Sequence, residues 1–118
     1  MQDKEVEYAL DTDKACVQVR VAGDLISTKE NAFRDLLQKL DANLNVARGR
    51  YPLIEVDARS IRFIDSVGLN CLVSLLRIAV QRQSRVTLLV GNSNTNRVIE
   101  ASGLHRLMRV VMQAPAAG

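Results

Sequence analysis

Between residues 53 and 90 the chain changes period twice, and that change constrains the fold more than any other feature. Leu53-Ile54-Glu55-Val56, entered through Pro52 and closed by Asp57, is β-branched and mostly apolar, which predicts a central strand covered on both faces. Leu69, Leu72, Val73, Leu76, Ala79 and Val80 then recur at helical spacing, and Val86 to Val90 returns to strand character before Gly91. Strand, helix and strand in that order require a crossover connection, hence parallel pairing and an α/β fold.

The flanking segments extend the same pattern. Val6 to Leu10 and Cys16 to Val21 read as an antiparallel hairpin turned by Asp11-Thr12-Asp13-Lys14, with Val17, Val19 and Val21 alternating against Gln18 and Arg20. Gly23 ends the second strand, and Ser27 with Glu30 has the spacing of a capping box that would open a helix. In that helix Phe33, Leu36, Leu37, Leu40 and Leu44 form one apolar stripe, and Arg48-Gly49-Arg50 ends it. Asn92 or Ser93 is placed to cap a short helix carrying Val98 and Ile99, Gly103 to stop it, and Met108 to Met112 to add a last strand. The expected architecture is a mixed β-sheet with βαβ crossover units, preceded by an N-terminal β-hairpin. A chain of 118 residues is expected to be one domain, residues 1–118, with its core over about 6–112 and a frayed tail from Ala114.

Composition removes several function classes. Tyr8, Phe33, Tyr51 and Phe63 are the only aromatic residues, too few for the stacking platforms of single-strand binders. The net charge of +3 comes from basic residues dispersed between Arg20 and Arg109, so direct nucleic-acid binding is not expected. Cys16 and Cys71 fall in different elements, and Asp3, Lys4 and Glu5 are not preceded by a secretory segment, so reduced thiols and a cytoplasmic location are expected. No apolar run approaches the ~20 residues of a membrane span, so no membrane insertion is expected. Catalysis is not expected either, because His105 is the one histidine, no Gly-x-Ser-x-Gly elbow surrounds Ser66, and no residue cluster suits a metal. No glycine pattern makes a dinucleotide or phosphate loop, and no cofactor is expected.

The informative stretch is Phe63-Ile64-Asp65-Ser66-Val67-Gly68-Leu69, where two oxygen-bearing side chains precede a glycine at a helix start. Either Asp65 or Ser66 could simply cap the helix, an effect of ~1 kcal/mol. Alternatively, Ser66 is a phosphate acceptor, because a hydroxyl at a helix N-terminus is accessible and the dipole there tolerates added charge. On the helix that follows, Val67, Cys71, Ser74 and Ile78 are expected to lie opposite the core stripe, as an outer strip suited to a partner.

These residues resemble the STAS domain family, especially its stand-alone bacterial anti-sigma factor antagonists, over roughly residues 6 to 112. The resemblance is carried by Gly23-Asp24-Leu25, by Asp57 through Ile61 leading into the Phe63 to Leu69 stretch, and by Ser102-Gly103-Leu104. It implies that Ser66 is phosphorylated by an anti-sigma factor that is itself a serine kinase, and that a serine phosphatase resets the cycle. The unphosphorylated form would bind the kinase and free a sigma factor, and the phosphorylated form would let go. The partner surface implied by the residues and the resemblance together is Asp24, Asp65, Ser66, Val67, Cys71, Ser74 and Ile78. Ile26 stands where the family often has an acidic residue, and Val67 replaces a common second hydroxyl. The alternative is an accessory or scaffold STAS subunit, of a stress-signalling assembly or a lipid transporter, without a phosphorylation cycle. Neither the identity of these partners nor the oligomeric state is fixed by the sequence.

Overall fold

The computed structural model describes residues 6–114; the expected tail lies outside the described residues beyond Ala114. Strands β1 (Val6–Asp11) and β2 (Cys16–Val21) form the hairpin, followed by α1 (Glu30–Ala47), β3 (Leu53–Ala58), α2 (Ser66–Gln81), β4 (Arg85–Val90), α3 (Ser93–Ser102) and β5 (Arg109–Met112). The five strands lie side by side in chain order, β1 antiparallel to β2 and every later neighbour parallel. The mixed sheet with crossover units and a leading hairpin is therefore the observed fold.

Strand order equal to chain order has a consequence that local sequence cannot express. Each crossover steps in the same direction, and crossovers of one hand then lay all their helices on one side of the sheet. The residues confirm it: Val17, Val19 and Val21 of β2, Ile54, Val56 and Ala58 of β3, and Val86, Leu88 and Val90 of β4 are buried. They share one core with Phe33 and Leu40 of α1, Leu72 and Leu75 of α2, and Ile99 of α3. Among the described residues no helix covers the opposite face, and Leu53, Glu55 and Asp57 there are only half-buried. The expectation that β3 is covered on both faces is corrected accordingly.

The open face is held by charge instead. Registration places Glu7, Arg20 and Asp57 in one row across β1, β2 and β3, and Arg20 pairs with Glu7 at 2.9 Å. At the end of β3 the Arg59 guanidinium grips Asp57 with both arms, at 2.9 and 2.8 Å, while the Arg59 amide donates to the same carboxylate at 3.1 Å. The Arg59 side chain thereby holds the Asp57 carboxyl below its ordinary value, against the opposing effect of burial. A lowered folded-state value stabilises the fold above the unfolded value, near pH 3.9, and is lost as pH falls through the folded value. Urea unfolding of Asp57→Asn is expected to show lower stability than the parent at neutral pH, with the gap closing below about pH 4. A gap that persists undiminished in acid would rule this pairing out as its source.

The helix boundaries contain one correction. Ser27 does not form a capping box: Ser27–Lys29 is a short 3-10 turn, and Lys29 precedes α1 without a side-chain cap. The Ser27 amide has been recruited elsewhere, as described below. The α1 stripe of Phe33, Leu36, Leu37, Leu40 and Leu44 is buried as its spacing dictates, and Arg48 with φ 37° and Gly49 with φ 77° turn the chain out of the helix. Asn92 caps α3 by accepting from the Thr95 amide at 2.9 Å, and Gly103 ends it in the left-handed region.

Candidate functional site

The loop from Arg59 to Asp65 connects β3 to α2 and is fixed from three sides. On one side the Asp24 carboxylate accepts from the amides of Arg62 and Phe63, at 3.1 and 3.2 Å. On the other, Asn92 and Thr95 both donate to the Ile61 carbonyl, at 2.7 and 2.9 Å. Beneath it the Ser60 hydroxyl donates to the Val21 carbonyl at 3.0 Å and accepts from the Gly23 amide at 3.2 Å. Leu25 and Ile64 then form a single parallel bridge, with Leu25 N donating to Phe63 O at 3.0 Å and Asp65 N to Leu25 O at 3.3 Å. A loop whose backbone groups are satisfied this fully holds its exposed side chains in one place.

Asp65 is the N-cap of α2. One carboxylate oxygen accepts from the Gly68 amide at 2.8 Å, and the other from the Ser27 amide at 3.0 Å. This one side chain therefore caps the helix and ties down the turn that leads into α1. The choice left open by the sequence, Asp65 or Ser66 as cap, is settled in favour of Asp65. Ser66 is the first residue of α2, and its side chain is exposed and takes no part in the cap. The cap uses the Gly68 amide, leaving the amides of Ser66 and Val67 as the remaining first-turn donors of the helix.

The expected outer strip of α2 needs correction. Cys71 is buried, at 9% exposure, and belongs to the core with Gly68, Leu72, Leu75, Leu76 and Ala79. Val67, Ser74 and Ile78 are half-buried on the flank that carries Cys71. The exposed positions are Ser66, Asn70, Arg77, Val80 and Gln81 instead. The phase is shifted because α2 packs against both the sheet and α1, where Arg82 at its end bonds Asp41 at 2.8 Å and Asn45 at 3.0 Å. Burial pushes the Cys71 thiol up, with Glu30 and Asp65 adding to the shift, which keeps it protonated and unreactive. Asp24, half-buried, has one oxygen committed to the loop, so it positions the surface as well as bordering it.

One residue at this site was missed by sequence reasoning. Phe63 is 65% exposed, in a chain with only four aromatic residues, and both its backbone groups are hydrogen-bonded. An aromatic ring held out to solvent by a pinned backbone, three residues before Ser66, is the form an interface anchor takes. Its scarcity among aromatics and its place in the motif were the available signals.

The family whose model matches residues 8–112 is described as "Mlab, STAS domain". The chain belongs to the STAS domain family. No curated protein sequence matches it. Among solved structures, the Thermotoga maritima protein TM1081 aligns with a TM-score of 0.72 at 20% identity, covering 89% of this chain and 84% of that one. An anti-sigma factor antagonist from Mycobacterium paratuberculosis aligns at 0.71 and 16% identity, covering 98% and 90%. The anti-sigma factor antagonist SpoIIAA, a Bacillus protein, aligns in its unphosphorylated form at 0.61 and 16% identity, covering 96% and 89%. At such identities the likeness is one of fold, and function has to be argued from the STAS site itself.

Proposed function

We propose that this STAS domain is an anti-sigma factor antagonist, a binding switch operated by phosphorylation of Ser66. The observation that carries the reading is the Ser66 hydroxyl, exposed at the start of α2 and relieved of capping duty by Asp65. The structural likeness to antagonists, SpoIIAA among them, supports it. In the switch a kinase-type anti-sigma factor docks on Phe63, Ser66 and Val67, with Asp24 and Asp65 holding that surface in shape. The kinase transfers the γ-phosphoryl group of ATP: a bond forms from Ser66 Oγ to phosphorus, the bond to the ADP oxygen breaks, and the hydroxyl proton passes to a base of the kinase. The chain supplies the acceptor and none of the catalysis. A phosphoserine of about −1.5 to −2 charge, directly after the Asp65 carboxylate, then expels the partner. A serine phosphatase returns the chain to its binding form, in the cytoplasm where sigma factors act.

The test is incubation with ATP and the serine kinases of the same cell, followed by mass spectrometric localisation. One phosphate on Ser66, absent from Ser66→Ala, is expected; modification of other residues with Ser66 untouched would overturn the reading. Phe63→Ala is expected to weaken binding of that kinase by about ten- to a hundredfold, the usual effect of removing an aromatic anchor, with the thermal midpoint unchanged. Titration calorimetry alongside thermal unfolding separates the two, and unaltered affinity would remove Phe63 from the interface.

The matching family model is named for Mlab and not for an antagonist, which favours a second reading. In it the same surface joins an accessory or scaffold subunit to a larger assembly, and Ser66 is never phosphorylated. Copurification of a stable complex unaffected by ATP, together with the absence of phosphate on Ser66 in protein isolated from its own cell, would select this reading.

A further inference from the structure

We propose a second protein-docking surface, a groove that receives an acidic amphipathic helix of a partner, at the end of α2 remote from Ser66. The groove holds about 900 Å³ between the C-terminal half of α2, the starts of β3, β4 and β5, and the 3-10 turn Leu104–Arg106, with a mixed polar and apolar lining, and shares Leu76, Val80 and Leu107 with an apolar hollow of about 340 Å³ along α2 that Arg77 borders. Leu76, Val86 and Met108 form the floor of the groove. Val80 and Leu107 both line it with 69% and 67% of their surface in solvent, a large exposure for branched apolar side chains.

Charge specifies the occupant. Arg77 and Arg106 border the groove on the side of α2, Arg85 and Arg109 line its other end towards the open face of the sheet, and all four are exposed. The lining includes neither an aspartate nor a glutamate. Among the described residues the ion pairs of this chain use Arg20, Arg34, Arg59 and Arg82, none of which lines the groove. An apolar hollow bordered by Arg77 and Arg106, neither of which has a carboxylate partner among the described residues, complements a helix with a row of leucine-like residues flanked by Asp and Glu. A nucleic-acid backbone would satisfy the arginines and leave the apolar walls exposed, and no aromatic residue stands here for base stacking.

The groove and Ser66 sit at opposite ends of α2, about 20 Å apart for a helix of this length, so the proposal does not depend on the phosphorylation reading. It is tested by selecting helical peptides from a displayed random library on the full chain, with counter-selection on Val80→Asp/Leu107→Asp. Both substituted positions are exposed, and thermal unfolding checks that the variant folds. Should it not fold, Arg77→Glu/Arg106→Glu takes its place. The expected winners carry apolar residues at i, i+3 or i+4 and i+7 with acidic neighbours, bind at least about tenfold more weakly to the variant, and weaken further with salt. Selection of neutral or basic peptides, or of none that distinguishes the parent from the variant, would overturn the proposal. So would variant-sensitive binding to phosphatidylglycerol vesicles, to a DNA duplex or to a second copy of this chain with no acidic peptide selected.

Discussion

Gly68→Ala is expected to cost about 3 kcal/mol of folding stability, although alanine is the better helix former by nearly 1 kcal/mol. Gly68 is buried in the first turn of α2. A Cβ at that position would lie 2.1 Å from the Leu25 carbonyl oxygen and 2.9 Å from its carbon, backbone atoms that cannot swing aside as a long side chain does. Leu25 is itself fully buried, and its amide and carbonyl bond Phe63 and Asp65. A methyl group therefore has to drive the helix start away from the Leu25 backbone, breaking the bridge to Ile64 and straining the Asp65 contact to Ser27.

Urea unfolding checks the magnitude, and amide exchange checks the place, because Leu25, Ser27 and Asp65 should lose protection before the sheet does. The sign decides between two accounts. If the variant were more stable than the parent, helix propensity would be the dominant effect and the close approach at Gly68 would not exist in solution. If it is less stable and also a poorer phosphate acceptor, the same contact positions Ser66.

What was legible in the sequence and what was not divides along the range of the interactions. The hairpin, the α1 stripe, a cap at Asn92 or Ser93 and the stop at Gly103 all arise within one element or one turn, and residue spacing shows them, the structure deciding the cap for Asn92. Ser27 looked like half of a capping box because Glu30 follows at the right distance. Its amide instead meets Asp65, 38 residues away, and no local pattern contains that pairing. The outer face of α2 was misphased for a related reason. A helix wedged between a sheet and a second helix is apolar over more than half its circumference, so periodicity cannot show which edge of that arc faces water. The open face of β3 follows from strand order, which is a property of the whole chain. At the site the motif pointed to Ser66 and Asp65, while the struts from Asp24, Asn92 and Thr95 that hold the loop come from sequence-distant elements.

Ser66→Asp is expected to lower affinity for the proposed kinase-type partner by about a hundredfold while changing folding stability by less than about 1 kcal/mol. The two halves of that expectation have separate physical origins. For the fold, a carboxylate at the first position of α2 gains from the helix dipole and reaches the unused amides of Ser66 and Val67. It also stands beside the Asp65 carboxylate, and the repulsion offsets part of the gain in water. For binding, the same charge would be carried into an interface containing Phe63 and Val67, where water no longer screens it from Asp65. Leaving a charge desolvated without a partner costs several kcal/mol, and each 1.4 kcal/mol is a factor of ten in affinity. Ser66→Ala should bind as the unmodified chain does, because it removes the acceptor without adding charge. Measuring all three chains by calorimetry and by thermal unfolding separates a switch from a structural position. Parallel loss of binding and stability in Ser66→Asp would mean that the substitution damages the helix start, and equal affinity in all three would place the partner elsewhere on the domain.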